Sequence, residues 1–183
     1  ARRHGAQRVI FASTGGAIYG EIPEGERGAV GRAPAPWSGY ACAKLAAEGY
    51  LDLYRRAYGL KVAILRYANV YGPRQDPHGE AGVVAIFVDR LRRGLPLRIN
   101  ARRALGDDGC VRDYVFVGDV VRAGRMAAEG HLDGRILDVG TGEATSTRAL
   151  AEALAEAMGT EATLEPAPPR DGDVQRSVLE PAD

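Results

Sequence analysis

Three short apolar runs, RVIFA (8–12), KVAILR (61–66) and ILDV (136–139), are separated from one another by stretches with helical character. Nothing else in the chain constrains its fold as much. Short runs rich in Val and Ile, without strict alternation, suit strands buried on both faces of a sheet. Between the first two, Ser38 stands where an N-cap belongs and Gly59 where a helix-ending glycine belongs, and Leu45, Leu51 and Tyr54 keep helical spacing. Further helices are predicted over Val83–Arg93 (stopped by Gly94), Gly118–Glu129 and Ser146–Met158. VRDYVFV (111–117) predicts another strand, and Thr163–Glu165 a last short one. Residues 21–37 and the stretch YANVYGPRQDPHGEAG read as polar loops. Strands alternating with helices of this length imply an α/β fold with a parallel sheet.

Composition excludes several partners. The formal net charge is zero, which gives no electrostatic reason to expect nucleic acid or an acidic membrane surface. No apolar run approaches the roughly 18 residues of a membrane span. The opening ARRHGAQRVIFA lacks the apolar core of a signal peptide, so a cytoplasmic protein is expected. Cys42 and Cys110 form no CxxC, and His4, His78 and His131 have no partner at ligand spacing. Two reduced thiols and no metal site are expected.

Of the 24 basic residues only Lys44 and Lys61 are lysines. Arginine is always charged, whereas the compact ammonium of lysine can be tuned. A lysine in such a chain marks a position that needs one. Lys44 lies four residues after Tyr40 in GYACAKLAAEGY, on the same face of the predicted helix and one turn away. An ammonium beside a phenol favours the phenolate, which makes a tyrosine usable as proton donor and acceptor. Carbonyl–alcohol redox chemistry needs such a group. Alone the motif is weak, because a solvated helix face gives the same spacing. Its context is stronger. The pair follows a strand and the glycine-rich turn STGG with Ser13 and Thr14, and its helix feeds a second buried strand ending in YANVYG. Ligands of open α/β sheets sit beyond such strand ends.

STGGAIYG, YxxxK, LRYANVYGPRQDPHGEAG and VRDYVFVGDVV, in this order, resemble the extended short-chain dehydrogenase/reductase family. Within it the likeness is to the NAD-dependent sugar-nucleotide epimerases, the UDP-glucose 4-epimerases above all. The resemblance covers about Arg8 to Asp173. It implies the C-terminal half of a Rossmann-type doubly wound sheet, 1–75 and 111–145, with a small α/β substrate-binding lobe, 76–110 and 146–183. It implies epimerisation of a UDP-sugar through a transient keto-sugar, with Tyr40 as acid and base and Lys44 on the nicotinamide ribose. Ser13, Tyr67 and Ala68 would accompany them around NAD. Thr14, Asn69, Gly82 and Val83 would meet the sugar nucleotide, Arg112 its diphosphate, and Arg170 and Asp173 its ribose and phosphates. The helix from Tyr40 to Tyr58 would pair two copies into a homodimer. Taken singly, Arg112 and Asp113 also read as a strand-end ion pair, Asn69 as a turn-former, and Arg170 with Asp173 as a solvated loop.

The sequence departs from the family in places. The position usually held by Ser or Thr, four before Tyr19, is Gly15, with Thr14 one place earlier; Gly39 replaces a frequent proline. The turn lacks the Asp–Glu pair of the 4,6-dehydratases, which favours an epimerase. A GxxGxxG turn, which seats a pyrophosphate at a helix N-terminus, is missing, so the chain is expected to be a piece of a roughly 300-residue enzyme, inactive alone and poor at holding NAD. Two other readings remain at this point. RILDVGTGEATS resembles the nucleotide turn of S-adenosylmethionine methyltransferases, and an inactive relative could serve only as an interaction module.

Overall fold

The structure, a computed structural model, describes residues 4–78 and 82–181. Its central sheet is parallel, in the order β1 (Arg8–Thr14), β2 (Lys61–Tyr67), β7 (Ile136–Val139). Thr14 stands beside Tyr67, and Tyr67 beside Val139, so the carboxyl ends of all three strands are level. β2 is buried from Val62 to Arg66, as expected of a middle strand. Its alternate residues serve two faces. Ala63 and Leu65 pack with Ala127 of α4 (Val117–Glu129) and with Leu132 and Leu137. Arg66 faces α2 (Gly39–Tyr58) on the other side.

The remaining strands are short. β3 (Asn69–Tyr71) pairs in parallel with β6 (Tyr114–Phe116). β4 (Leu97–Asn100) pairs in parallel with β9 (Leu164–Ala167). β5 (Val111–Arg112) lies between β10 (Arg176–Ser177), parallel, and β8 (Thr145–Ser146), antiparallel. α3 (Val83–Arg92) and α5 (Thr147–Ala157) cover β4, and Phe87, Leu91, Leu97, Ile99, Leu150 and Ala151 form a second core there. A third core joins α1 (Gly15–Ile18) to Ala68, Val115 and Leu179. No helix among the described residues is long and apolar enough to cross a membrane.

The α/β class and the three central strands agree with the sequence reading, and α2 does so to the residue of its caps. The Ser38 side chain accepts from the Ala41 amide, and Gly59 takes a left-handed φ of 66°. Ser146 likewise caps α5 rather than opening it. Two expectations are corrected. The stretch after Tyr67 is not all loop, because Asn69–Tyr71 finds its backbone partners in β6; residues 79–81 of that stretch lie outside the described residues. VRDYVFV is not one strand: Val111–Arg112 and Tyr114–Phe116 pair with different partners on either side of Asp113. β4 and β10 carry no local signal, since their pairing partners are more than 60 residues away in sequence.

Removing the Ser38 oxygen takes the acceptor from the first turn of α2. Ser38→Ala should lower the unfolding free energy by about 1 kcal/mol in denaturant titration, and an unchanged midpoint would show that this bond does not hold the helix.

Candidate functional site

The carboxyl ends of β1 and β2 open into a cleft of about 760 Å³ whose far wall is α3, β4 and the segment around 170–173. Thr14, Tyr40, Ala68, Asn69, Gly82, Val83, Arg112, Arg170 and Asp173 all line it. The candidates are therefore brought together from six separated stretches of chain. Tyr40, in the first turn of α2, is 58% exposed and leans over the cleft mouth. Lys44 stands behind it. Its ammonium donates to the Ala12 carbonyl at 2.8 Å and lies 5.6 Å from the Tyr40 ring centre and 5.0 Å from that of Phe11. Two of the three Lys44 donors make no hydrogen bond with the described residues.

Three candidates do not line the cleft in this way. Besides Lys44, Ser13 is turned inward and donates to Glu48, and Tyr67 packs against the Ala63–Leu65–Leu137 core, where burial raises its phenol. Gly15 does not face the cleft either. A Cβ there would stand 2.5 Å from the Leu179 side chain, so no larger residue fits without moving Leu179. Thr14, one place earlier, is the hydroxyl that lines the cleft.

Sequence reasoning missed part of the lining. Arg90 and Arg98 join Arg112 and Arg170, so four guanidinium groups meet the cleft, with Asp173 among them. Arg90 is held by the Pro96 carbonyl at 2.6 Å, and Arg112 by the carbonyls of Val111 and Val174. Gln75 and Asn100 bring polar side chains, and burial pushes the Tyr114 phenol up to about 12. Nothing local distinguishes Arg90 from Arg92 or Arg93; only the packing of α3 does.

Also missed is the polar network beneath Tyr40. Glu48, Arg66, Tyr19, Asp138 and Ser13 are each less than 5% exposed. Arg66 Nε donates to Glu48 Oε1 at 3.0 Å and its Nη2 to Oε2 at 2.6 Å, a two-pronged pair between β2 and α2. Arg66 Nη1 reaches the Tyr19 hydroxyl at 2.7 Å, which donates on to Asp138 at 2.8 Å. The signal was an arginine inside the apolar run KVAILRY: a charge buried on a middle strand requires a partner.

Asp113 forms a second buried centre. It is 1% exposed and does not pair with Arg112. Its carboxylate accepts from Thr141 N and Oγ1, Gly142 N and Leu179 N. The ion-pair reading of Arg112 and Asp113 is thereby corrected. The GTG turn spends two amides on this carboxylate instead of offering them to a nucleotide, which removes the ground for the methyltransferase reading. Among the described residues no group of three His, Cys, Asp or Glu side chains comes together as a metal cluster would.

Residues 1–140 match the model of the NAD dependent epimerase/dehydratase family, and the chain belongs to that family. It is 46% identical over 183 residues to a UDP-glucose 4-epimerase of Mycolicibacterium smegmatis, covering 98% of this chain and 56% of that protein. Among solved structures, it is similar to a Thermus thermophilus UDP-glucose 4-epimerase in complex with NAD, at 57% identity and a TM-score of 0.93 over 98% of this chain and 57% of that one. A Thermotoga maritima UDP-glucose 4-epimerase with UDP-glucose matches at 47% identity and a TM-score of 0.87, over 98% and 56%. The chain spans about half the length of the curated relatives it matches.

Burial pushes the Asp138 carboxyl up to about 6; the Glu48 carboxylate adds to the rise, while the Tyr19 hydroxyl and the Arg66 guanidinium pull against it. An ordinary Asp titrates near 3.9. The folded state thus binds this proton more tightly than the unfolded chain does. The group weakens the fold as pH rises from about 4 to about 6, and its penalty is complete above that window. Asp138→Asn keeps an acceptor for Tyr19 and removes the titration. The variant should gain stability relative to the parent between about pH 4 and pH 6 in denaturant titrations. A difference that stays flat across this window contradicts the assignment.

Proposed function

We propose that the protein of which this chain is part epimerises a nucleotide sugar, UDP-glucose and UDP-galactose at C4, with NAD as cofactor. The observation that carries this reading is a single cleft lined by Tyr40, with Lys44 behind it, and by four arginines. An anionic diphosphate suits the arginines: Arg112 and Arg170 would grip it and Asp173 would accept from a ribose hydroxyl. Asn69, Gly82 and Val83 would lie along the sugar nucleotide.

The donor set of Tyr40 and Lys44 fits the nicotinamide half of NAD. Tyr40 presents a hydroxyl, and Lys44 has two uncommitted donors for a ribose diol. Ala68 would line the ring, with Ser13 and Tyr67 acting from behind the cleft. When bound, NAD accepts a hydride from the sugar carbon and returns it. Tyr40 would take the hydroxyl proton as that hydride leaves, which would give the keto-sugar. After the sugar turns over, Tyr40 gives the proton back to the oxygen as hydride arrives on the opposite face. Thr14 would hold the reacting oxygen beside Tyr40. Lys44 keeps a positive charge against the phenol and, through Ala12, holds that charge to β1.

On the same reading the protein acts in galactose metabolism in the cytoplasm and forms a homodimer. Tyr50, Leu53, Tyr54 and Tyr58 are exposed on α2 at spacings of three and four, an apolar stripe suited to a second copy. Reduction or dehydration of a nucleotide sugar would use the same tyrosine.

In the full-length protein, Tyr40→Phe should cut turnover of UDP-galactose by about 100-fold or more, the usual size of a lost acid/base group, with UDP-sugar affinity retained. Lys44→Arg should also be impaired, because a broad fork cannot replace a small ammonium. Near-parental turnover in Tyr40→Phe would overturn the assignment.

A further inference from the structure

We infer that Asp113 is a positioning residue for the nucleotide end of the cleft: its carboxylate touches no ligand and sets where Asn69, Arg112 and Asp173 stand. The inference rests on the UDP-sugar reading and adds to it the device that holds the binding end together.

The geometry has three parts. The carboxylate collects four donors from two segments distant in sequence, the turn at Thr141–Gly142 and the strand end at Leu179. It is packed without slack, since a Cβ on Gly140 would lie 2.5 Å from Oδ2. Among the described residues no lysine or arginine is a partner of it, and the carboxylate is met there by aimed N–H and O–H dipoles. A carboxylate held this way fixes its own backbone.

That backbone is the hinge of the binding wall. The Asp113 carbonyl accepts from Asn69 N at 2.9 Å, and its N–H donates to Ser177 O at 3.1 Å. Arg112 precedes it, and the Arg112 guanidinium rests on the Val174 carbonyl, next to Asp173 and three residues before Ser177. Asn69, Arg112 and Asp173 line the cleft; Asp113 does not. Three ligand-facing residues from three segments thus take their relative positions from one side chain behind them. By contrast, Tyr40 and Lys44 stand on α2, whose buried carboxylate Glu48 bonds to Arg66 and Ser13 and makes no contact with Asp113.

The sign of the effect separates positioning from simple electrostatics. Neutralising a buried carboxylate near an anion site strengthens anion binding if charge alone matters. Asp113→Asn keeps the shape but turns an NH₂ toward backbone N–H donors, so positioning predicts weaker binding. The test measures UDP affinity by calorimetry on the full-length protein for Asp113→Asn, for the milder Thr141→Val, which removes one donor, and for Asp133→Asn as a control carboxylate that pairs with Arg8 and does not line the cleft. UDP affinity should fall about ten-fold in Asp113→Asn, the cost of about one charged hydrogen bond. It should fall less in Thr141→Val and stay at the parental value in Asp133→Asn. With UDP-galactose, Asp113→Asn should raise KM and leave kcat at saturation near the parental value. Tighter or unchanged UDP binding in both Asp113→Asn and Thr141→Val overturns the inference, and so does an equal loss in Asp133→Asn, which would mark general loosening. If Asp113→Asn does not fold, Thr141→Val decides alone. A parent that binds UDP but does not epimerise UDP-galactose refutes the proposed reaction and leaves the UDP comparison intact.

Discussion

The Arg66–Glu48 pair is the interaction on which the site depends. Both groups are about 5% exposed, and each alone would be a buried charge without a partner. Removing one member of such a pair costs about 3–5 kcal/mol, although a matched apolar pair could be as stable. What the ion pair adds is direction. An apolar contact lets a helix roll and slide by small steps, whereas a two-pronged guanidinium–carboxylate bond fixes both. Glu48, Lys44 and Tyr40 are spaced by four along one face of α2. Glu48 is tied to β2 through Arg66 and to β1 through Ser13, and Lys44 is tied to β1 through the Ala12 carbonyl. Tyr40, the last of the stripe, is left without an anchor of its own over the cleft and takes its place from the other two.

Parts of this could be read from sequence because their causes are local. Ser38 and Gly59 bracket α2 by their own hydrogen bonding and backbone freedom, and KVAILR reads as a buried strand because its four central residues are all apolar. The Tyr40–Lys44 spacing and the order of the surrounding motifs placed most of the cleft. The rest depends on partners far along the chain. β4 is made a strand by β9, and β3 by β6. The glycine at 15 is explained by Leu179, and Asp113 by Thr141, Gly142 and Leu179. Ser13, expected around NAD from the family resemblance, faces the other way because it donates a hydrogen bond to Glu48.

The two buried carboxylates divide the site. Glu48 serves the end where a proton and a hydride would move, and Asp113 the end where a diphosphate would be gripped. The cleft between them is shared by four arginines and one nearby aspartate, so its field favours an anionic ligand even though the whole chain has no net charge. In a chain with only two lysines, the one beside Tyr40 is bonded to a backbone carbonyl and kept among aromatic rings.

In epimerisation by transient oxidation, the hydrogen on the reacting carbon leaves as hydride and the same hydrogen returns. The most direct measurement is proton NMR of the sugar formed when the full-length, NAD-loaded protein converts UDP-galactose in deuterium oxide. Transient oxidation predicts UDP-glucose that carries its original hydrogen at C4, with no deuterium on that carbon. Deuterium at C4, which removal and return of a solvent-exchanging proton would introduce, or the absence of UDP-glucose altogether, would contradict it.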